Sequence, residues 1–198
     1  MMRLSGVRKT LGYYFAEPVV QLLARTSITP NALTWFGFLV SVGAAVLIAT
    51  GHLFAAGFVV LAAGLFDILD GALARRTNRT TRFGAVLDST LDRAAEAALL
   101  IGILVMYAGE HSIRGVLVAG IAWLGSSLVS YIRARAEALG LECQVGVFTR
   151  PERVVVLVLG LLLSYFDIAL LIALAVIAVL SFVTAGQRVL HVWQQTKT

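Results

Sequence analysis

Four aspartates, Asp67, Asp70, Asp88 and Asp92, fall within the stretch FDILDGALARRTNRTTRFGAVLDSTLDR, residues 66–93, in a chain otherwise dominated by apolar runs. On helices, Asp67 and Asp70 are three residues apart and share one face, and Asp88 and Asp92 are four apart and share another. Two neighbouring helices could therefore aim four carboxylates at one point. An aspartate at the centre of a membrane-spanning helix costs about 2.5–3.5 kcal/mol on insertion scales, so four uncompensated ones would cost about 10 kcal/mol or more. A cation must offset them. Clustered carboxylate oxygens favour a hard divalent ion, Mg²⁺ or Mn²⁺, and four could hold two ions about 3.5–4 Å apart, an arrangement that polarises a phosphoryl group. A phosphate-bearing substrate follows from that chemistry. Gly71, Ala74 and Gly84 lack bulk and would leave a slot beside the carboxylates. The alternative for each is close helix packing.

The elements that must carry these residues are long and apolar. The 198 residues are 59% hydrophobic and 14% charged, with mean hydropathy +0.89, against about 45–50% apolar and about 25% charged in a soluble domain. This composition predicts an all-α integral membrane protein. Six spans are expected: from Pro30 to about Gly51, over residues 53–74, and from about Phe83 to Tyr107, Gly115 to Leu139, Pro151 to Tyr165 and Ile168 to His191. The organisation expected is a single membrane domain, with an amphipathic surface helix at 1–28 and a six-helix bundle at 30–194. The leader carries Leu11, Tyr14, Phe15, Val19 and Leu22 near helical spacing, with Arg3, Arg8, Lys9 and Arg25 around them. Its alternative is the first helix of an ordinary packed core.

With the amino terminus inside, the outer connections contain only Arg114 from the basic set, while Arg75, Arg76, Arg79, Arg82, Arg133, Arg135, Arg150 and Arg153 fall in the inner ones. Both termini and the aspartate-rich turn are thus expected on the cytoplasmic side. The net charge of +5 and pI near 9.9 come from these scattered residues rather than from one basic stretch, which argues against nucleic acid as partner. The single cysteine, Cys143, has no partner for an internal disulfide and no zinc-ligand spacing. His52, His111 and His191 fall at span ends and are read as interfacial. Thr149-Arg150-Pro151-Glu152 has the form of a capping box opening the fifth helix.

The pattern D67-x-x-D70-G71-x-x-A74-R75-x8-G84-x3-D88-x3-D92 resembles the signature of the CDP-alcohol phosphotransferase family. The six spans and amphipathic leader are similar to that family too. The resemblance implies transfer of a phosphatidyl-type group from a CDP-linked lipid to a small alcohol, with release of CMP. It implies Asp67, Asp70, Asp88 and Asp92 as metal ligands and Asp92 also as the base. It further implies Gly71, Ala74 and Gly84 along the cytidine nucleotide, Arg75 on its diphosphate, a homodimer, and an active site facing the cytoplasm. The stretch S-x-T-P-N-x-x-T, Ser27 to Thr34, resembles the family's first-span entrance and suggests Asn31 or Thr34 near the nucleotide; Thr29-Pro30 could equally just start a helix. Glu96 continues the Asp88–Asp92 face, and Arg93 is in reach of it for a supporting ion pair.

Arg133, Arg150, Arg153 and Arg188 could approach one cytoplasmic cavity, and a guanidinium fork suits a phosphate. The bland reading is that each snorkels to lipid headgroups. The stretches TRFGAVLDSTLDR, SYIRARAEALGL and RPER resemble the phosphatidylinositol phosphate synthase branch of the family and its archaeal relatives, which implies inositol 1-phosphate as acceptor and these arginines on it. The donor would be CDP-diacylglycerol or CDP-archaeol. Glycerol 3-phosphate is the rival acceptor. From other classes, a cation- or proton-coupled transporter would also keep intramembrane carboxylates, and an inactive structural relative would keep the fold.

Overall fold

The computed structural model describes residues 17–197. Among these, six helices follow in order: α1 (Pro30–Ala49), α2 (Leu53–Arg76), α3 (Arg82–Gly109), α4 (Ile113–Ala138), α5 (Arg150–Leu162) and α6 (Ala169–Gln195). Residues 17–24 are helical as well. Leu11, Tyr14 and Phe15, expected on the amphipathic leader, lie outside the described residues.

Four of the helices, α1, α2, α4 and α6, are long and apolar enough to cross a membrane. The 28-residue α3 has the length, but its first fifteen residues carry Asp88, Asp92, Arg93 and Glu96. The fifth expected span is shorter than anticipated: α5 ends at Leu162, and residues 163–168 turn before α6. At about 1.5 Å per residue its 13 residues rise about 20 Å, short of a hydrocarbon core of about 30 Å. Large apolar side chains lie exposed along the helices, including Leu39, Val46, Phe58, Leu65, Val105, Leu117, Leu124 and Val179. Exposure on this scale is what lipid-facing surface requires and what water disfavours.

Two compact units share these helices. The first comprises residues 17–43 and Val59–Glu96. Its apolar cluster joins Val20, from the helical stretch 17–24, to Leu33 of α1 and to Ala72 and Leu73 of α2. Leu23, Ala24, Phe66 and Leu69 pack around them. Arg76 at the end of α2 pairs with Glu17. Along α1 and α2, Gly37 lies so near Phe66 that a Cβ there would sit 3.1 Å from the Phe66 Cβ, and the Phe36 and Phe66 rings meet edge to face at 4.9 Å.

The second unit comprises Ala44–Phe58 and the chain from Ala97 onward. Ile48, Leu100, Ile103, Val129, Leu161 and Leu174 are fully buried in it. Small residues bring its helices together: Gly102 packs on the Ala45 backbone, Gly125 on Ser181 and Phe182, and Gly160 on Ala173, the contact chemistry of helices in lipid. The expected capping box opens α5. Glu152 accepts from the Thr149 backbone N–H at 2.8 Å and from its hydroxyl at 2.5 Å, with Pro151 in the first turn.

Candidate active site

In the first unit, the period of α2 and α3 turns three of the four aspartates to one place. Asp67 of α2 and Asp88 and Asp92 of α3, all half-buried, bring carboxylate oxygens within 4.8 Å of one another. Three like charges so close repel, and three hard oxygen donors are a suitable partial shell for a hard divalent cation whose remaining positions go to water or phosphate oxygens. The donor set therefore fits the metal expected from the sequence.

Asp70, only 5% exposed, lies close enough to Asp67 and Asp88 to feel their charges, and its Oδ2 accepts the Thr34 hydroxyl at 2.7 Å. Thr34 Oγ1 is also 3.1 Å from the Pro30 carbonyl, but a hydroxyl has one proton to donate, and the buried carboxylate is the stronger acceptor. Thr34, expected near a nucleotide, is thus engaged with the aspartate.

The two glycines of the signature each have specific neighbours. A Cβ on Gly71 would lie 3.3 Å from Arg75 Nη1, so the Arg75 guanidinium folds back over Gly71. A Cβ on Gly84 would meet Thr81 Oγ1 at 3.0 Å and Asn31 Oδ1 at 3.3 Å, and the Gly84 N–H donates to Thr81 Oγ1 at 2.9 Å. Asn31 and Gly84, separated by more than fifty positions, are therefore neighbours. Ala74 is half-buried on α2. Arg93 donates to the Ser89 carbonyl.

The second unit holds the arginines. Arg153 and Arg188 are 2% and 3% exposed, far below what an arginine adopts without compensation. Arg188 Nε donates to the Val145 carbonyl at 2.9 Å and Nη1 to the Val129 carbonyl at 2.5 Å. The like charges of Arg133 and Arg153 act on Arg188, and so does the opposite charge of Glu137. Arg133 is exposed, and its Nε donates to Glu137 at 2.8 Å. Arg150 is half-buried at the start of α5. The expected set thus divides: Arg153 and Arg188 are interior cations, and Arg133 is a surface one that already has a carboxylate. Sequence reasoning missed Thr184 and Gln187 of α6, which bind the segment before α5; their side chains look unremarkable in an apolar helix.

The chain is similar to known proteins over most of its length. The CDP-alcohol phosphatidyltransferase family model matches residues 27–187. An archaetidylinositol phosphate synthase of Methanothermobacter thermautotrophicus is 39% identical over 185 residues, 92% of this chain and 91% of the relative. A phosphatidylinositol phosphate synthase of Mycobacteroides abscessus is 42% identical over 177 residues, 87% of this chain and 80% of the relative. Among solved structures, the Mycobacterium tuberculosis phosphatidylinositol phosphate synthase with CDP-DAG bound superposes with a TM-score of 0.84 at 39% identity, covering 90% of this chain and 93% of that one. The same enzyme in complex with manganese and citrate gives 0.83, covering 90% and 88%.

The chain belongs to the CDP-alcohol phosphatidyltransferase family and is a transferase of phospholipid biosynthesis. Homologues at about 40% identity over most of its length are named phosphatidylinositol phosphate synthases. Membership sets the transporter reading aside, and with the four apolar helices it makes the protein an integral membrane protein.

Proposed function

We propose that the protein transfers the phosphatidyl or archaetidyl group of a CDP-linked lipid to inositol 1-phosphate, releasing CMP. The observation that carries this reading is the convergence of Asp67, Asp88 and Asp92 in a family relative whose homologues bear that name. The buried Arg153 and Arg188 support an acceptor that itself brings a phosphate. A phosphate matches the planar donor fork of a guanidinium, and serine and free inositol carry none.

Asp67, Asp88 and Asp92, with Asp70 held by Thr34, are the residues that would hold Mg²⁺ or Mn²⁺, as two ions. Such ions, when bound, withdraw charge from the donor's diphosphate. Arg75, Gly71, Ala74 and Gly84 receive the CDP portion, with Asn31 beside Gly84. Arg150, Arg153 and Arg188 hold the acceptor phosphate, and Arg133 contributes at the rim. The acceptor hydroxyl loses its proton to Asp92 and its oxygen bonds to the lipid-side phosphorus. The bond from that phosphorus to the CMP oxygen breaks, and CMP leaves with the electron pair. No covalent enzyme intermediate is needed.

The same reading takes residues 1–28 as a surface helix, residues 30–194 as one domain with α3 and α5 completing six spans, both termini and the active site on the cytoplasmic face of the cell membrane, and a homodimer. Its test is CMP release by purified protein in nanodiscs with CDP-diacylglycerol or CDP-archaeol and Mg²⁺. Inositol 1-phosphate, glycerol 3-phosphate, free inositol and serine are compared. Turnover with inositol 1-phosphate alone supports the assignment. A preference for glycerol 3-phosphate keeps the transfer chemistry and overturns the acceptor.

A further inference from the structure

Residues 139–149 link α4 to α5 without helix; the N–H groups of Leu139, Gly140 and Leu141 close onto carbonyls of α4, and the residues beyond them need partners from elsewhere. One face of α6 supplies them. The buried Phe148 N–H donates to Thr184 Oγ1 at 3.2 Å, and the Val147 N–H to Gln187 Oε1 at 3.3 Å. The Val145 carbonyl accepts from Arg188 Nε at 2.9 Å, and the Glu142 carbonyl from Gln195 Nε2 at 2.7 Å. Thr184, Gln187, Arg188 and Gln195 are offset by three, four and eleven positions from the first, which places them on one stripe of the helix. The segment lies tight on that stripe. Gly146 takes φ +126°, and a Cβ there would come 2.5 Å from Thr184 Cγ2.

We infer that Thr184 and Gln187 are positioning residues for the acceptor-phosphate site, acting through the strapped segment 141–149. This rests on the acceptor assignment above. The Thr149 cap follows directly after Phe148, so the amide held by Thr184 sets where α5 begins and where Arg150 and Arg153 stand. Arg188 belongs to the same framework: of the five N–H donors of its guanidinium, Nε and one on Nη1 are engaged with the strap and with the Val129 carbonyl of α4. Thr184 is uncharged and fully buried beneath the strap, so its effect on a ligand is indirect. Recognition of a phosphate by planar guanidinium forks depends on fixed geometry, and a loosened support loses it.

The test compares Thr184→Val, which keeps the shape and removes the acceptor oxygen, with Thr184→Ser, which restores that oxygen. In the full-length protein in nanodiscs, Thr184→Val is expected to raise KM for inositol 1-phosphate about five- to tenfold, the value of one hydrogen bond. KM for the CDP-lipid stays unchanged, and amide exchange over residues 141–149 rises. Thr184→Ser stays within about twofold of the parent protein on both measures. Gln187→Met is the second variant, at a half-exposed position, and shifts the same acceptor KM in the same direction. Unchanged acceptor KM in both Thr184→Val and Gln187→Met, or equal loss toward both substrates, overturns the inference while the parent protein still turns over inositol 1-phosphate. Absence of turnover with any phosphorylated alcohol in the parent protein overturns the acceptor assignment, and this inference with it.

Discussion

Thr34 Oγ1 donates to Asp70 Oδ2 at 2.7 Å and joins α1 to the aspartate helix α2. The bond fixes the Asp70 carboxylate beside the group formed by Asp67, Asp88 and Asp92, near enough to Asp67 and Asp88 to feel their charges. Thr34→Val removes the donor and leaves a buried carboxylate short of a partner. Groups that support a metal ligand are typically worth about 10–100-fold in metal affinity or activity. Weakening of that order is expected in Mn²⁺ binding followed by electron paramagnetic resonance and in CMP release, with Thr34→Ser close to the parent protein. Unaltered Mn²⁺ affinity in Thr34→Val would remove the Thr34–Asp70 bond from the support of the metal site.

Asp92→Asn keeps size and polarity and removes both the charge and the basic oxygen. CMP release is expected to fall at least about 100-fold, while CDP-lipid binding, measured by calorimetry without turnover, is largely kept. Residual turnover within tenfold of the parent protein would exclude Asp92 as the base.

Metal removal has its own signature. Chelation with EDTA should abolish CMP release, and added Mg²⁺ or Mn²⁺ should restore it, because three adjacent carboxylates cannot bind a diphosphate unaided. Full activity after exhaustive chelation would reject divalent-metal catalysis.

The arginines should separate by burial. Arg133→Gln breaks an ion pair whose two side chains are 47% and 48% exposed, and such pairs contribute about 0–1 kcal/mol. Its thermal midpoint should hardly move. Arg188→Met removes the donors to Val145 and Val129 and should lower the midpoint clearly as well as raise the acceptor KM. Equal effects of the two substitutions on stability would contradict the structural distinction between them.

Packing gives a prediction independent of chemistry. At Gly160 a Cβ would come 2.5 Å from the Ala173 Cβ, so Gly160→Val must push α5 and α6 apart. Overpacking of this kind costs about 1–3 kcal/mol. The expected result is a lower thermal midpoint in detergent with the KM values little changed, measured by differential scanning fluorimetry and CMP release.

The parts of the site legible in sequence were those written in local spacing. Asp88 and Asp92, four residues apart on one helix, had to share a face, and Thr149 and Glu152 had to form a cap, because helix geometry fixes both. The bond between Thr34 and Asp70 was not legible, since the two lie thirty-six residues apart and nothing in the spacing of either announces the other. Apolar character extended the fifth span to Tyr165, whereas the helix stops at Leu162 and a turn follows. The strap on α6 was hidden for a different reason. A threonine and a glutamine in a long apolar helix carry no motif, and their use appears only once residues 141–149 lie against them.

The docking of residues 17–24 on the aspartate helix bears on where this protein can be cut. Val20 shares its contact with Ala72 and Leu73, the residues that follow Asp70 and Gly71, and Glu17 holds Arg76 one turn further on. A shortened version beginning at Pro30 would preserve every apolar helix and still strip the support from the turn that bears the signature. For expression, fusion or labelling, residues 17–24 therefore belong with the aspartate-bearing helix α2.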